Sequence, residues 1–264
     1  VVSGSRSEWL LSAAARFGLA ARGIVYGVIG WLAIQIARGH GKHEANQRGA
    51  LAAVRQQPLG TVLLWLLGFG FAAYAFWRLS EAVRGTAADG KKRGPRLEAL
   101  GGSLTYLALS AATFAFIAGS GSHHGEAQQQ ASWTARAMNY SAGRWLVGIV
   151  GIVVVVIGVA MIVSGFTRRF ERELQMNDLS GPTRTIVVRL GMVGTVARGV
   201  VFAIAGALVV DAAVTFKPGK SKGLDGALHT LANQPFGPWL LGLVAAGIIA
   251  FGVFGLAEAR WART

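Results

Sequence analysis

The sequence predicts an all-α polytopic membrane protein: six transmembrane helices forming three tandem two-helix repeats, each with a short interfacial helix in its external loop. Three observations predict it. Hydrophobic residues make up 53% of the 264, and charged residues only 14%, where a soluble domain carries about 25%. Six stretches approach the ~20 apolar residues that cross a bilayer, at 19–37, 61–80, 100–118, 145–166, 190–214 and 239–257. And Ala21-Arg22-Gly23-Ile24-Val25-Tyr26-Gly27 returns as Ala197-Arg198-Gly199-Val200-Val201-Phe202-Ala203. No polar stretch is long enough for a second, soluble domain, so 1–264 reads as a single membrane domain.

The first unit covers 16–88. Its helix runs from Arg22 through Tyr26, Gly30 and Trp31 to Gln35 and ends at Arg38-Gly39. After a polar loop comes a short segment, 49–57, with Leu51 and Val54 three apart on one helical face. It stops at Gln57-Pro58-Leu59-Gly60, because the residue before proline is pushed out of the helical region. Such a segment reads as a one-to-two-turn helix in the outer interface. A second span then descends to Arg78 and Glu81. The third unit, 189–263, repeats the plan: Arg198, Phe202, Gly206 and Asp211, then Leu228 and Leu231, then Gln234-Pro235-Phe236-Gly237, and a span ending at Glu258. The second unit, 96–175, keeps the outline and loses the letters. Tyr106 sits where Tyr26 does, and Tyr140-Ser141-Ala142-Gly143 replaces the Gln-Pro turn. Internal duplication of this kind sets the architecture. Three hairpins with interfacial helices can close into a ring of six about a pseudo-threefold axis.

Charge gives the expected orientation. The connections on the side of the two termini carry fourteen Lys and Arg, those on the other side nine. The positive-inside rule puts both termini in the cytoplasm, and a bacterial cytoplasmic (inner) membrane is the expected location. The net charge of +14 is then topological, and nucleic acid is not the expected partner. Arg6 and Arg16 ahead of an apolar core mimic a secretory leader. The counterpart of that span is internal, so it is expected to be a retained span. There are no cysteines, which removes disulfides, thiolate metal sites and cysteine nucleophiles.

Few residues carry chemistry. Arg22 with Glu81, and Arg198 with Glu258, lie at the cytoplasmic ends of antiparallel spans in their own units. In unit two both positions are uncharged, at Gly102 and Ser164. Loss in tandem predicts an ion pair inside each repeat, since one charge left alone near hydrocarbon is costly. Such pairs line a polar vestibule or bind an anionic headgroup; otherwise they clamp two helices together, or the arginines snorkel to the interface. Arg78 is spaced for a local pair with Glu81. Near the outer ends, Gln35 and Asp211 match, and Asp211 is expected to pair with Lys217 or Lys220. Ser103, Thr105, Ser110 and Thr113 are expected to hydrogen-bond between helices. Gly23-xxx-Gly27 and Gly199-xxx-Ala203 are small-residue faces expected to pack alike, on each other or on a neighbouring chain. Trp65, Trp77, Trp145 and Trp239 read as interfacial anchors.

All five histidines fall in external connections, so no span offers haem ligands. His40 and His43 with Glu44, and His123-His124 with Glu126, have metal-binding residue types without metal-site spacing, and read as solvated. No nucleophile with its base and no phosphate loop is present. The chain therefore reads as non-enzymatic and without a cofactor.

Three two-span repeats opening on Arg22-Gly23 with Tyr26 and on Arg198-Gly199 with Phe202, and turning at Pro58 and Gly60 and at Pro235 and Gly237, resemble a bacterial integral-membrane family. It is defined by a repeated domain of unknown function (number 1206) with six spans. The resemblance implies fold and location and no activity. With almost nothing ionisable at the midplane, the expected role is an accessory, scaffold or lipid-binding subunit of a membrane complex. Its expected neighbours are the bilayer and a membrane-protein partner or a second copy. The alternative is a channel or transporter for a small solute that uses the polar helix ends.

Overall fold

The computed structural model describes residues 3–39, 45–85, 93–119, 126–140, 142–174, 181–221 and 223–261. In chain order the helices are α1 (Ser3–Ala37), α2 (Gln47–Arg55), α3 (Gly60–Arg84), α4 (Arg93–Ile117), α5 (Glu126–Met138), α6 (Gly143–Phe166), α7 (Gly181–Thr215), α8 (Gly223–Ala232) and α9 (Gly237–Trp261). Among the described residues, 3-10 helices at Arg169–Glu173 and Pro218–Lys220 accompany them. Six helices have the length and hydropathy to cross a bilayer: α1, α3, α4, α6, α7 and α9. This is a multi-pass membrane protein. The spanning helices overrun the expected apolar stretches at one end. α7 has 35 residues, about 52 Å at 1.5 Å per residue, against a hydrocarbon core of about 30 Å.

The short helices α2, α5 and α8 all lie at one end of the bundle, here the capped end. The connections α3–α4 and α6–α7 lie at the other, the open end. α2 stops at Arg55, two residues earlier than the proline alone suggests, because Gln56 and Gln57 already turn back onto Ala52 and Val54. Its start is capped by the Asn46 side chain, which accepts from the Gly49 N–H at 2.9 Å. Leu51, Val54 and Leu228 are buried as the three-residue spacing requires, and Leu231 is half-buried.

The Gln-Pro-x-Gly turn has a steric cause. In all three units the glycine N–H donates to the carbonyl three residues back, from Gly60 to Gln57, Gly143 to Tyr140 and Gly237 to Gln234. A Cβ at any of them would collide with a carbonyl of the preceding short helix, on Val54, Ala137 or Ala232. Leu59 and Phe236 take left-handed φ of 62° and 60° to make the bend. Gln57, Pro58, Gln234 and Pro235 are exposed, while Gly60 and Gly237 are buried where the bend meets the short helix.

The spans close as the repeat suggests, with one difference in which helices meet. The second helix of each unit packs most closely on the first helix of the next: α3 on α4, α6 on α7, and α9 on α1. Every seam has the same register. Gly23 faces the Gly252 carbonyl and Gly199 the Gly158 carbonyl, each 2.7 Å from an added Cβ. At the equivalent place Ser103 donates to the Ala75 carbonyl at 2.9 Å. Two turns on, Gly30 meets the Ala245 carbonyl, Gly206 that of Gly151, and Ser110 donates to that of Gly68 at 2.9 Å. The two small-residue faces therefore pack alike, but on the preceding unit and not on each other. Ser103 and Ser110 bridge helices as expected. Thr105 and Thr113 do not: each donates to the carbonyl four residues back in its own helix.

Within units the spans diverge. α1 packs on α3 and α7 on α9, whereas α4 and α6 scarcely touch. The ring is closed at three seams and slack across unit two, where both spans are among the least buried. The main core lies between α1, α3 and α9, around Leu19, Val25, Leu64, Phe71, Tyr74 and Ile248. The caps are tied across units: the Asp225 carboxylate accepts from the Ala45 N–H at 2.8 Å, and Thr134 donates to Ser221 at 3.1 Å.

Candidate functional site

The polar groups of the spans gather near the open end, and the ring's connectivity decides who meets whom. Arg22, on α1, forms its buried salt bridge with Glu258 on α9. This corrects the expectation that each pair lies inside a repeat. α9 is the seam partner of α1, and Glu258 stands at the seam position across from Arg22. The Arg22 guanidinium also lies 5.4 Å from the Phe251 ring and 6.0 Å from that of Tyr74. Those aromatic faces lower the cost of holding a cation among apolar helices.

Applied around the ring, the same rule locates the other charges of this cluster. The cyclic counterpart of Arg22–Glu258 at the α3–α4 seam is Glu81 opposite position 102, which is glycine. Arg78 fills that gap from its own helix: its side chain lies over Gly102, with Nε 3.6 Å from where a Cβ would stand. Its Nη1 donates to Glu81 at 3.2 Å and its Nε to the Tyr74 hydroxyl at 3.2 Å. Glu81 is thus held by a substitute arginine three residues away, and the local spacing of Arg78 has its meaning here.

At the α6–α7 seam the acid is the missing member. Arg198 on α7 faces the level of Ser164 on α6, and among the described residues no carboxylate pairs with it. Three rings surround it instead, Tyr26 and Phe251 at 5.0 Å and Phe202 at 5.2 Å. The Tyr26 hydroxyl is a polar neighbour. The Arg198 Nε is buried without a hydrogen-bond partner, as is that of Arg22. Phe251 lies between the two arginines and meets Tyr26 edge-on at 4.9 Å. Tyr74 and Tyr106, 4.5 Å apart, close the other side. Arg22, Arg78 and Arg198 against Glu81 and Glu258 leave one positive charge over.

A second feature lies toward the capped end. A cavity of about 490 Å³ is lined by Trp133, Thr134 and Ala137 of α5, Val147, Val150 and Val154 of α6, and Ala205 and Val209 of α7. Among the described residues, none of α4 lines its wall. The cavity lies along the α7 face that carries Phe202 and Arg198, since positions 198, 202, 205 and 209 recur at helical spacing.

The outer polar residues lie away from the arginine cluster, at the capped end. Asp211 pairs with Lys220 at 2.7 Å, one of its two expected partners. Gln35 is half-buried at the matching end of α1. His229 lies 3.7 Å from Asp225 within α8. His40, His43, His123 and His124 are outside the described residues. Trp65, Trp145 and Trp239 are exposed as anchors should be, whereas Trp77 stacks beneath Arg78 at 5.3 Å inside the cluster. The ring residues Tyr74 and Phe251 were not singled out from sequence. The signal was available, because they occupy equivalent places in units one and three.

Fold and site together define a three-repeat, six-span membrane bundle with a charged seam at its open end. The chain matches the Domain of Unknown Function (DUF1206) family three times, at 17–85, 99–168 and 193–262, and belongs to that family. It is similar to "Uncharacterized protein YxxB" of Bacillus subtilis (strain 168), with 29% identity over 246 residues spanning 91% of this chain and 87% of that one. No solved structure matches.

Proposed function

We propose that this protein is a non-enzymatic, lipid-binding subunit of a bacterial inner-membrane complex, taking a lipid chain into its own bundle. The observation that carries the reading is the cavity between α6 and α7 under α5, apolar and about 490 Å³ in volume. It lies at the seam between units two and three, beside the unit whose two spans, α4 and α6, scarcely touch. A volume of that size suits a long hydrocarbon chain segment, and a bundle open on its lipid side needs no aqueous route for one to enter. The centre of the other two units is filled by Phe71, Tyr74, Phe251 and Phe254, which speaks against a wet path across the membrane. The Lys and Arg excess supports an open end that faces the cytoplasm.

Purification in mild detergent, with mass spectrometry of lipids and proteins together, tests the reading. Wild type is expected to retain lipid in fixed ratio, and Ala205→Trp, which fills the cavity, to lose it. Equal lipid retention by the two, or only bulk lipid on both, would refute it.

A further inference from the structure

Resting on that reading, we propose that Arg198 is an anion receptor: it binds the acidic head of a lipid whose chain runs along the α6–α7 face toward the cavity. The argument comes from the repeat itself. At one seam, an arginine of a first helix meets a glutamate of the preceding second helix, as Arg22 meets Glu258. At the next, the arginine is lost and Arg78 replaces it from the helix that carries Glu81. At the third, the glutamate is lost, Ser164 stands in its place, and no described carboxylate compensates Arg198. The fold has kept a cation in low-dielectric surroundings and removed its internal counter-ion. Leaving a cation there without an anion is costly, so the charge calls for one oxyanion, a carboxylate or a phosphate.

The surroundings say how that oxyanion arrives. Tyr26, Phe202 and Phe251 shield Arg198 from α1, α7 and α9. From α6, the counterpart of Phe251 is Ile157, and the counterpart of Glu258 is Ser164. α6 therefore offers a hydroxyl and an aliphatic side chain, with neither ring nor acid. That is also the side on which α6 is free of α4. Arg198 is 17 residues from the capped end of α7, about 25 Å along the helix, at the edge of a 30 Å hydrocarbon core where lipid heads sit. Ala205 and Val209 in the cavity wall lie about 10 Å and 16 Å further along the same face. An acyl chain covers that distance. The ligand class is thus an anionic amphiphile with a single phosphate or carboxylate head.

Ser164→Glu tests the proposal, because it restores the repeat's own carboxylate and should make the lipid unnecessary. Thermal unfolding of purified protein is followed with added phosphatidylglycerol, phosphatidylcholine, oleate or inorganic phosphate. Wild type should be stabilised by phosphatidylglycerol and by oleate, and little by phosphatidylcholine. Ser164→Glu should melt higher than wild type without lipid, with half-saturation by phosphatidylglycerol raised at least tenfold. Ser164→Gln, of equal size and no charge, should do neither. Arg198→Gln should lose the preference for anionic lipid, and Arg198→Lys should recover part of it. Equal stabilisation by phosphatidylcholine, or an unchanged phosphatidylglycerol response in Ser164→Glu, would overturn the anion receptor while leaving chain binding in the cavity standing. Inorganic phosphate acting as well as the lipid would overturn the amphiphile. Loss of all lipid effects in Ala205→Trp with anion discrimination intact in wild type would show both ideas holding, and absence of any lipid effect in wild type would sink both.

Discussion

The seam pairing of Arg22 with Glu258 makes a quantitative demand that an intra-repeat pair does not. Both side chains are nearly enclosed, at 11% and 7% exposure. Removing Glu258 strands a guanidinium among Phe251, Tyr74 and the backbones of α1 and α9. Breaking a buried pair from one side costs about 3–5 kcal/mol, a large part of the 5–15 kcal/mol that holds a typical protein together. Replacing both members by apolar residues of similar size costs far less, because no charge is left behind. Glu258→Leu alone should therefore lose about 3 kcal/mol or more, and Arg22→Met with Glu258→Leu should recover most of it. The interaction energy from the double-mutant cycle is then near the upper end of the usual ~0.5–3 kcal/mol. Titration with SDS in mixed micelles, followed by helical circular dichroism, reads each value. The control cycle is Arg22 with Glu81. Glu81 is already held by Arg78 at 3.2 Å, so its coupling to Arg22 should be clearly the smaller. Additive losses for Arg22 and Glu258, or a larger coupling between Arg22 and Glu81, would refute the cyclic arrangement.

Two further outcomes follow from the packing. Gly23 and Gly27 look alike in the sequence, yet a Cβ on Gly23 meets the Gly252 carbonyl at 2.7 Å while one on Gly27 meets nothing within 4 Å. Gly23→Ala should destabilise by about 1–3 kcal/mol through overpacking, and Gly27→Ala should be neutral or gain up to ~1 kcal/mol of helix propensity; thermal melts of the two variants that rank the other way would break the seam register. For topology, the chain has no cysteine, so Gly94→Cys in the first turn of α4 and Gly219→Cys beside α8 can be labelled singly in intact cells. An impermeant maleimide should reach Gly219→Cys from outside and Gly94→Cys only after lysis, and labelling of both from one side would undo the orientation.

Much of this protein is written locally. Span length and hydropathy, the glycine required by each Gln-Pro-x-Gly bend, and the short capping helices all depend on residues within a few positions of one another. The duplicated Arg-Gly opening marks the units for the same reason. Even the α6–α7 seam leaves a trace, as Gly151, Gly158 and Gly165 recur every seven residues and all face α7. The reading of Ser103 and Ser110 as bridges, and of Asp211 with Lys220, needed only a neighbour at the right level.

What the tertiary structure alone decided is the choice among neighbours. Several charges lie at one depth, and any arginine at the open end has more than one carboxylate on its level. Sequence shows that unit two has lost its arginine and its glutamate together, which reads most simply as the loss of one pair. Ring closure splits that loss between two seams, because each second helix packs on the next unit's first. One loss is repaired by Arg78 across Gly102, and the other leaves Arg198 facing Ser164. The physical reason is that hydrophobic periodicity specifies which face a helix buries and says nothing about which helix will cover it. That assignment comes from backbone approach at the glycine and serine seams, where the helices come close enough for a carbonyl to meet a Cα or a hydroxyl.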